Sequence, residues 1–306
     1  MTTNQVEPKE STSSRGQKLW LAAIKPPIYS VAVIPILAGM TVAYSEGVSF
    51  QGKICVTFLI SAILIIAWLN LSNDVFDADT GIDINKAHSV VNLTGNPSFV
   101  FWLANFFLLV GCLGIVLISW WQQDPTVLVI VLICCALGYV YQGPPFRLGY
   151  RGLGEVICFF TFGPGAVCAA YYAQSKSYSL ACVVVSVLIG ISTSIILFCS
   201  HFHQVEDDLA AGKKSPIVRM GTAMGAIVLK LLVSIFFLFA IAFVLLGYLS
   251  WPVLLIAISL PVAINLTSHV EQYHALPAKV SNSKFLAVNF YLVSSTSLII
   301  GLLIAR

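Results

Sequence analysis

The chain is dominated by long stretches that carry almost no charge. Nine of them are long enough, or nearly so, to cross a lipid bilayer as helices. They are 21–45, 52–73, 99–121, 126–142, 153–173, 178–200, 223–247, 251–269 and 284–304. Charged residues make up only 9% of the 306 residues, whereas soluble domains carry roughly a quarter. The sequence therefore predicts an all-α polytopic membrane protein with nine transmembrane helices in one bundle. It excludes a water-soluble globule, a disordered chain and a nucleic-acid binder.

The basic residues divide unequally between the two sets of connecting segments. The N-terminal tail and the four long loops carry twelve Lys and Arg, counting those at helix ends, and the short segments on the other side carry three. The positive-inside rule places the richer set in the cytoplasm. We therefore expect a disordered cytoplasmic tail over residues 1–18 and a nine-helix domain over residues 19–306.

Seven of the thirteen acidic residues lie in two clusters. The first acidic cluster follows the second apolar segment and comprises Asp74, Asp77, Asp79 and Asp83. The second acidic cluster follows the sixth segment and comprises Glu206, Asp207 and Asp208. An even number of helices separates the clusters, so we expect both on the same face, and the chain resembles a weak parallel duplication. Because charge is expensive in so apolar a chain, these residues are candidates for function.

The first acidic cluster has helical spacing that favours a metal site. On a helix, Asn73, Asp74 and Asp77 share one face. Carboxylates stacked this closely repel each other unless a cation bridges them. Carboxylate and amide oxygens suit a hard ion, Mg²⁺ or Mn²⁺, rather than zinc. The alternative interpretation is a solvated helix end with incidental acids.

The second acidic cluster combines acids with bases. Asp207 and Asp208 lie three and four residues after Gln204, so all three can share a helical face, whereas Glu206 projects elsewhere. Lys213, Lys214 and Arg219 follow within a few residues. Acids beside bases at a cytoplasmic mouth are what a metal-diphosphate needs, because the metal bridges carboxylate to phosphate and the bases take the remaining charge.

Two further sequence features give weaker signals of function. His201 and His203 are two residues apart, which points their rings to different helix faces, so packed or hydrogen-bonded histidines are favoured over zinc ligands. The glycine-rich segment 143–154 follows no strand and is interpreted as a tight turn rather than a nucleotide loop. Tyr139 and Tyr141 precede it, and an aromatic face there can stabilise a carbocation.

Together these residues resemble the motifs of the UbiA superfamily of intramembrane prenyltransferases. The first acidic cluster is similar to its NDxxD motif, and Gly81 with Asp83 resembles the naphthoate-using MenA branch. Three stretches resemble the cyanobacterial and chloroplast form of that branch, which attaches a phytyl chain to 1,4-dihydroxy-2-naphthoate in phylloquinone synthesis. They are Asn73-Asp-Val-Phe-Asp-Ala-Asp-Thr-Gly-Ile-Asp83, Asn85-Lys86 with Ser89-Val-Val-Asn-Leu-Thr-Gly95, and Ser200-His-Phe-His-Gln-Val-Glu-Asp-Asp-Leu-Ala-Ala-Gly-Lys-Lys-Ser-Pro216.

The resemblance implies a Mg²⁺-dependent enzyme of the plasma or thylakoid membrane. Its partners would be prenyl (phytyl) diphosphate as donor, 1,4-dihydroxy-2-naphthoate as acceptor, and the lipid bilayer. The implied catalytic residues are Asp74, Asp77, Asp207, Asp208 and Tyr139. The implied metal ligands are Asp74, Asp77, Asp83, Asp207 and Asp208. The implied diphosphate-binding residues are Asn73, Lys86, Lys213, Arg219 and Arg147.

The implied reaction begins with ionisation of the donor to an allylic cation, which apolar helices shield from water. The electron-rich naphthoate ring attacks through its carboxylate-bearing carbon, and CO₂ is lost. The metal acts as Lewis acid and template.

The second motif departs from the usual DxxxD pattern. Gln204 occupies the position of the first Asp and His203 that of a usual Arg, whereas Asp208 matches the second Asp. We therefore expect Asp207 and Asp208 to bind the metal on this side of the site, with Glu206 as the alternative ligand.

Two other functions stay open at the level of sequence. A sister prenyltransferase would use homogentisate, 4-hydroxybenzoate or chlorophyllide as acceptor, and only the resemblance at 79–83 and 89–93 argues against it. A cation-coupled membrane transporter would also use carboxylates and a repeat. Its acids should lie near the middle of the bilayer, however, whereas these follow their helices at one face.

Overall fold

Every regular element in the described part of the chain is a helix. The computed structural model describes residues 20, 26–80 and 89–306, and no strand occurs among them. The predicted tail, together with Asp83 and Lys86, lies outside the described residues. The all-α prediction is confirmed for the part of the chain that the structure describes.

Nine apolar helices follow one another along the described residues, and each overlaps one predicted segment. They are α1 (Pro26–Ser45), α2 (Gly52–Thr80), α3 (Pro97–Gln122), α4 (Thr126–Gln142), α5 (Gly154–Ser175), α6 (Leu180–Ser200), α7 (Thr222–Leu245), α8 (Trp251–Tyr273) and α9 (Ser283–Ile304). Seven are long and apolar enough to cross a membrane, α9 together with the short helix Pro277–Val280 before it. Helices α1 and α4 provide shorter apolar stretches, Tyr29–Ser45 and Thr126–Gln142. The chain is therefore an integral membrane protein, but the predicted count of nine spans is not confirmed.

Local signals explain where several helices begin. Helix α3 starts with Pro97 after Asn96, whose side chain accepts a hydrogen bond from the Phe99 backbone N–H at 3.0 Å. Helix α6 starts after Ser179, whose hydroxyl accepts from the Cys182 backbone N–H at 3.0 Å. Such caps satisfy backbone donors that a helix N-terminus leaves free.

Helix α5 is less regular than its sequence suggests. The segment was predicted as a plain helix over 153–173, but it widens into a π-helical turn at Thr161–Gly165 around Pro164. Proline lacks the N–H that would complete the α-helical ladder and its ring clashes with the preceding turn. A π-helical turn accommodates this break without ending the helix.

Small residues allow the helices to approach closely. A Cβ on Gly114 of α3 would lie 2.1 Å from the Ser61 hydroxyl of α2, and a Cβ on Gly39 of α1 would lie 2.1 Å from the Val167 carbonyl of α5. The contact at Gly39 requires glycine because it is made with backbone, whereas the Ser61 hydroxyl could rotate away from a Cβ on residue 114. Close approach of this kind is the usual source of helix association in a bilayer, where burial of apolar surface gives little drive.

The two ends of the bundle differ. At one end, the loops after α2, α4 and α6 contain short helices. They are Val90–Thr94, Leu148–Arg151, Val205–Ala210 and Pro216–Met220. At the other end the loops are short and the helices are tied by polar side chains. The Gln51 backbone N–H donates to Gln174 Oε1 at 2.8 Å, and the Tyr172 hydroxyl donates to Asp124 Oδ2 at 2.7 Å. We call this second end the tied end.

Candidate functional site

The first acidic cluster occupies the last turns of α2. That helix continues to Thr80, beyond the apolar segment predicted to end at residue 73. The Asn73 side-chain amide donates to Asp77 Oδ2 at 2.7 Å, so these two of the three predicted residues lie on one face. Asp77 is half-buried, whereas Asp79 is exposed. The helix therefore turns Asp77 towards the protein and Asp79 away from it.

Asp74 also makes a hydrogen bond that stabilises the fold. Its side chain is fully buried, and Oδ2 accepts a hydrogen bond from the Val90 backbone N–H at 2.8 Å. Val90 begins the short helix Val90–Thr94. Asp74 thus joins that short helix to α2, in addition to any role as a ligand.

Tyr150 connects the first acidic cluster with the loop beyond α6. Its hydroxyl donates to Asp77 Oδ1 at 3.0 Å and lies 2.8 Å from Thr80 Oγ1. On the other side, Lys213 Nζ lies 5.9 Å from the centre of its ring. Burial and the charge of Asp77 raise the pKa of Tyr150, so the phenol stays protonated. Sequence reasoning missed this residue, whose only signal was its position in the turn beside Arg151.

The second acidic cluster is anchored by Asp208. This carboxylate is 1% exposed, with Oδ1 lying 3.1 Å from Lys213 Nζ and Oδ2 lying 3.3 Å from His201 Nδ1. Burial opposes ionisation, but His201 and Lys213 outweigh it and hold the pKa of Asp208 below its ordinary value. Because Lys213 also reaches Tyr150, the two clusters meet at the same end of the bundle, as predicted.

The rest of the second cluster faces outward. Glu206 and Asp207 are both exposed on the short helix Val205–Ala210, while Asp208 is buried. Helical spacing predicted that Asp207 and Asp208 share one face. In the structure they differ, because Asp207 is exposed and Asp208 is buried.

The two histidines have different surroundings. His201 is buried between Asp208 and Glu155, whose Oε1 lies 3.3 Å from His201 Nε2. Burial lowers the pKa of His201, but its contacts with Asp208 and then Glu155 raise it above the ordinary value overall. Burial, followed by the charges of Lys284 and His201, lowers the pKa of His203. His201 is thus a packed histidine at ion-pair distance from two carboxylates, which is one of the two alternatives expected for it.

The donor set fits a hard cation that is completed by a substrate. Both Asp208 carboxylate oxygens and both Glu155 carboxylate oxygens are buried without a well-aligned hydrogen bond. Among the described residues, no group of three or more His, Cys, Asp or Glu side chains could hold a metal ion by itself. Mg²⁺ commonly uses one or two carboxylates, water and substrate phosphate oxygens. The oxygens present therefore suit Mg²⁺ bound jointly with a diphosphate.

The two predicted arginines are not equivalent. Arg219 Nη2 donates to the Arg151 carbonyl at 2.6 Å and Nε donates to the Lys214 carbonyl at 3.1 Å, so its guanidinium joins two loops. The guanidinium of Arg147 lies 5.9 Å from the Tyr150 ring, and its buried Nε has no hydrogen-bond partner. Arg147 is therefore better placed than Arg219 to receive an anion.

Tyr139 lies on the outer side of α4. Its hydroxyl donates to the Pro144 carbonyl at 2.8 Å, and its ring meets Phe76 edge-on at 6.1 Å. It lines a cavity of 380 Å³ between α2, α3 and α4. The other lining residues are Trp68, Ser72, Phe76, Phe101, Asn105, Leu108, Cys135 and Ala136.

Tyr141 points the opposite way, since residues two apart on a helix lie about 200° apart around its axis. Its ring packs on Gly149 and Gly154, where a Cβ would lie 2.7 and 3.0 Å from it. Tyr150 is therefore the aromatic side chain that contacts a carboxylate directly, and Tyr141 packs against the turn that carries it.

Comparisons with known proteins agree with this geometry. The model of the UbiA prenyltransferase family matches residues 32–293. The chain is 59% identical to 2-carboxy-1,4-naphthoquinone phytyltransferase from Synechocystis sp., over 95% of each chain. It is 41% identical to the chloroplastic 2-carboxy-1,4-naphthoquinone phytyltransferase of Arabidopsis thaliana, over 97% of this chain and 80% of the relative. A solved UbiA homolog from Archaeoglobus fulgidus bound to DMAPP and Mg²⁺ has the same fold, with 14% identity and a TM-score of 0.60 over 91% of this chain and 98% of that one.

Proposed function

Because this chain belongs to the UbiA prenyltransferase family, we propose that it transfers a phytyl group from phytyl diphosphate to a carboxylated naphthalene ring, with loss of CO₂. The observation that carries the proposal is the junction of the two acidic clusters. Asp77, Tyr150, Lys213 and Asp208 form a continuous chain of contacts at one end of the bundle. Such a site offers carboxylates to a cation and a base to a phosphate.

The names of the relatives support the choice of donor and acceptor. Both the Synechocystis and the Arabidopsis relatives are named for a phytyl group and for 2-carboxy-1,4-naphthoquinone. A quinone ring is electron-poor, whereas attack on an allylic cation needs an electron-rich ring. We therefore infer that the ring reacts in its two-electron-reduced form, 1,4-dihydroxy-2-naphthoate.

The roles of the protein side chains follow from their positions. When bound, Mg²⁺ would supply Lewis-acid stabilisation of the departing diphosphate, and Asp77, Asp208, Asp74 and Asp207 are the candidates to hold it. Lys213 and Arg147 would take charge that the metal leaves on the phosphates. The Tyr150 hydroxyl holds Asp77 in one orientation.

Carbon–carbon bond formation needs no protein nucleophile. The acceptor carbon that bears the carboxylate bonds to the allylic carbon, and the donor's carbon–oxygen bond breaks. The bond to the carboxylate then breaks, its electron pair returns to the ring, and CO₂ leaves. The Tyr141 ring, which packs on the turn between α4 and α5, is suited to stabilise the allylic cation.

The membrane arrangement is part of the proposal. Helix α4 has 17 residues, which is the lower limit for a span, and α1 has 20 residues. We infer that both cross the bilayer, giving nine spans within a domain over residues 19–306. The distribution of Lys and Arg supports a cytoplasmic tail at 1–18 and a cytoplasmic site, in the plasma or thylakoid membrane.

An assay of the purified protein tests the proposal. The protein in detergent or liposomes is supplied with Mg²⁺, with phytyl or geranylgeranyl diphosphate, and with either the reduced or the oxidised carboxynaphthalene acceptor. Homogentisate and 4-hydroxybenzoate serve as control acceptors. We expect Mg²⁺-dependent release of ¹⁴CO₂ from carboxyl-labelled reduced acceptor.

Two outcomes would contradict it. Transfer to a control acceptor without CO₂ release would favour a sister enzyme. Cation-driven flux of substrate across sealed vesicles without chemistry would favour the transporter.

A further inference from the structure

A largely buried chain of ion pairs links Glu155 at the start of α5 to Asp208 and Lys213. Lys213 Nζ lies 3.1 Å from Asp208 Oδ1, His201 Nδ1 lies 3.3 Å from Asp208 Oδ2, and His201 Nε2 lies 3.3 Å from Glu155 Oε1. His201 and Asp208 are 3% and 1% exposed. The reaction described above uses Asp208 and Lys213, but it gives no task to Glu155 or His201.

Glu155 is unusual for its position. It lies in the first turn of α5, where its side chain is 16% exposed and neither carboxylate oxygen has a well-aligned hydrogen bond. A carboxylate in a membrane helix is costly unless it has a specific partner. Its one ion-pair partner among the described residues is His201.

Glu155 and His201 are also held firmly by the backbone. The Glu155 carbonyl accepts a hydrogen bond from the Ser194 hydroxyl of α6 at 2.9 Å. His201 directly follows α6, so both side chains start from the same packed helix pair. An imidazole that faces a carboxylate at each nitrogen cannot rotate without losing both contacts.

We infer that Glu155 and His201 are positioning residues that fix the Asp208 carboxylate for binding of a divalent cation with a prenyl diphosphate. Glu155 orients the imidazole, and the imidazole orients Asp208. The arrangement follows the general rule that a partner behind the first ligand sets its direction and strengthens binding. This inference rests on the proposed function, because it deepens the description of the same site.

The test measures cation binding directly, with Mn²⁺ as the probe. Mn²⁺ is titrated into the purified full-length protein in detergent with a non-reactive prenyl thiodiphosphate, and free Mn²⁺ is followed by electron paramagnetic resonance. We expect Glu155→Leu and His201→Leu each to weaken Mn²⁺ binding about tenfold. The double variant should be no weaker than the weaker single variant, since both act through one carboxylate.

Conservative and matched variants separate positioning from general damage. Glu155→Gln keeps an oxygen that accepts from His201 Nε2, so it should recover most of the lost affinity. His203→Leu removes the neighbouring half-buried imidazole and should leave Mn²⁺ affinity unchanged. Thermal melts of all variants report folding. If Glu155→Leu does not fold, His201→Leu still tests for loss of Mn²⁺ affinity, and Glu155→Gln still tests whether most of that affinity is kept.

The results that would overturn this inference differ from those that would overturn the proposed function. Unchanged Mn²⁺ affinity in a folded Glu155→Leu or His201→Leu variant would overturn the inference, as would an equal loss in His203→Leu or no recovery in Glu155→Gln. A wild-type protein that binds Mn²⁺ with the thiodiphosphate but forms no prenylated product would overturn the proposed reaction and leave the positioning role intact.

Discussion

The two acidic clusters differ in how the fold supports them. The first lies on the continuous end of a 29-residue helix, where Asn73 and Asp77 bond one turn apart. The second lies on the six-residue helix Val205–Ala210, where Asp208 contacts His201 and Lys213 of the same segment after α6, and His201 in turn contacts Glu155 of α5. The first cluster is thus ordered by the geometry of one helix and the second by a network of ion pairs that extends to α5. Substitutions should therefore act locally in the first cluster and spread to neighbours in the second.

The largest expected effect is at the first cluster. Asp77→Ala and Asp74→Ala should each lower the transfer rate by at least about 10²-fold at saturating Mg²⁺, because a ligand for the cation that stabilises the leaving group is lost. Membrane insertion should be retained. Product formation measures this, and Asp79→Ala is the matched control, since Asp79 is exposed on the same helix. Near-normal turnover in both variants would refute the metal assignment.

At the second cluster, we expect a graded series. Asp208→Ala should be the most severe, about 10²-fold, because it also leaves Lys213 and His201 buried without their partner. Asp207→Ala should raise the Mg²⁺ requirement to a lesser degree, and Glu206→Ala should have little effect. Mg²⁺ titrations of the three variants decide the order. If Glu206→Ala alone raised the requirement, Glu206 would be the ligand and the helical-face argument would be wrong.

The link between the clusters is tested by Tyr150→Phe. Loss of a hydrogen bond to a charged group costs roughly 1.5–3 kcal/mol, so we expect the rate to fall at least about tenfold while the ring stays in place. Tyr139→Phe is the control, because its hydroxyl bonds only to a loop carbonyl among the described contacts. Equal effects in both variants would mean that Tyr150 does not couple the clusters.

A pH experiment probes the charged groups of the second cluster. The pKa of His201 is raised in the folded protein, so its contribution to stability is full below about 6.5 and is lost as pH rises through the folded value. The pKa of Asp208 is lowered, so its contribution is present above about 3.9 and is lost only at lower pH. The groups facing His201 are Glu155, Asp208, Lys213 and His203.

We therefore expect the melting temperature of the wild type to exceed that of His201→Gln most at about pH 6, with the difference narrowing towards about pH 9. Thermal melts across this range measure it. His203→Gln should show no such narrowing, because the pKa of His203 is lowered, which makes the contribution of His203 to stability smaller at low pH rather than larger. A constant difference for His201→Gln would contradict the argument.

The smallest expected effect is at Gln204. Gln204→Asp restores the carboxylate that the resemblance leads one to expect, and activity should stay within about threefold, a change typical of a tolerated exposed site. A Mg²⁺ titration of product formation would record any tighter binding. Loss of activity would show that the second cluster does not accept another charge.

Sequence reasoning predicted best what local geometry controls. The helical segments follow from the length of each apolar stretch, and the Asn73–Asp77 face follows from helical spacing within one segment. The meeting of the clusters at one end followed from counting helices. The roles of Tyr150 and Glu155 depend on contacts across 73 and 46 residues, which no local pattern encodes. The choice between Tyr139 and Tyr141 likewise needed the direction of α4 within the bundle.

The tied end has a consequence for turnover. Because Gln51, Gln174, Tyr172 and Asp124 join the helices there, we expect the polar parts of substrate and product to enter and leave at the carboxylate end. Inorganic diphosphate must leave by the path that the next donor uses, so the two compete for one position. Accumulated diphosphate would then slow enzyme turnover. A phosphohydrolase that removes diphosphate in the same compartment would restore the rate.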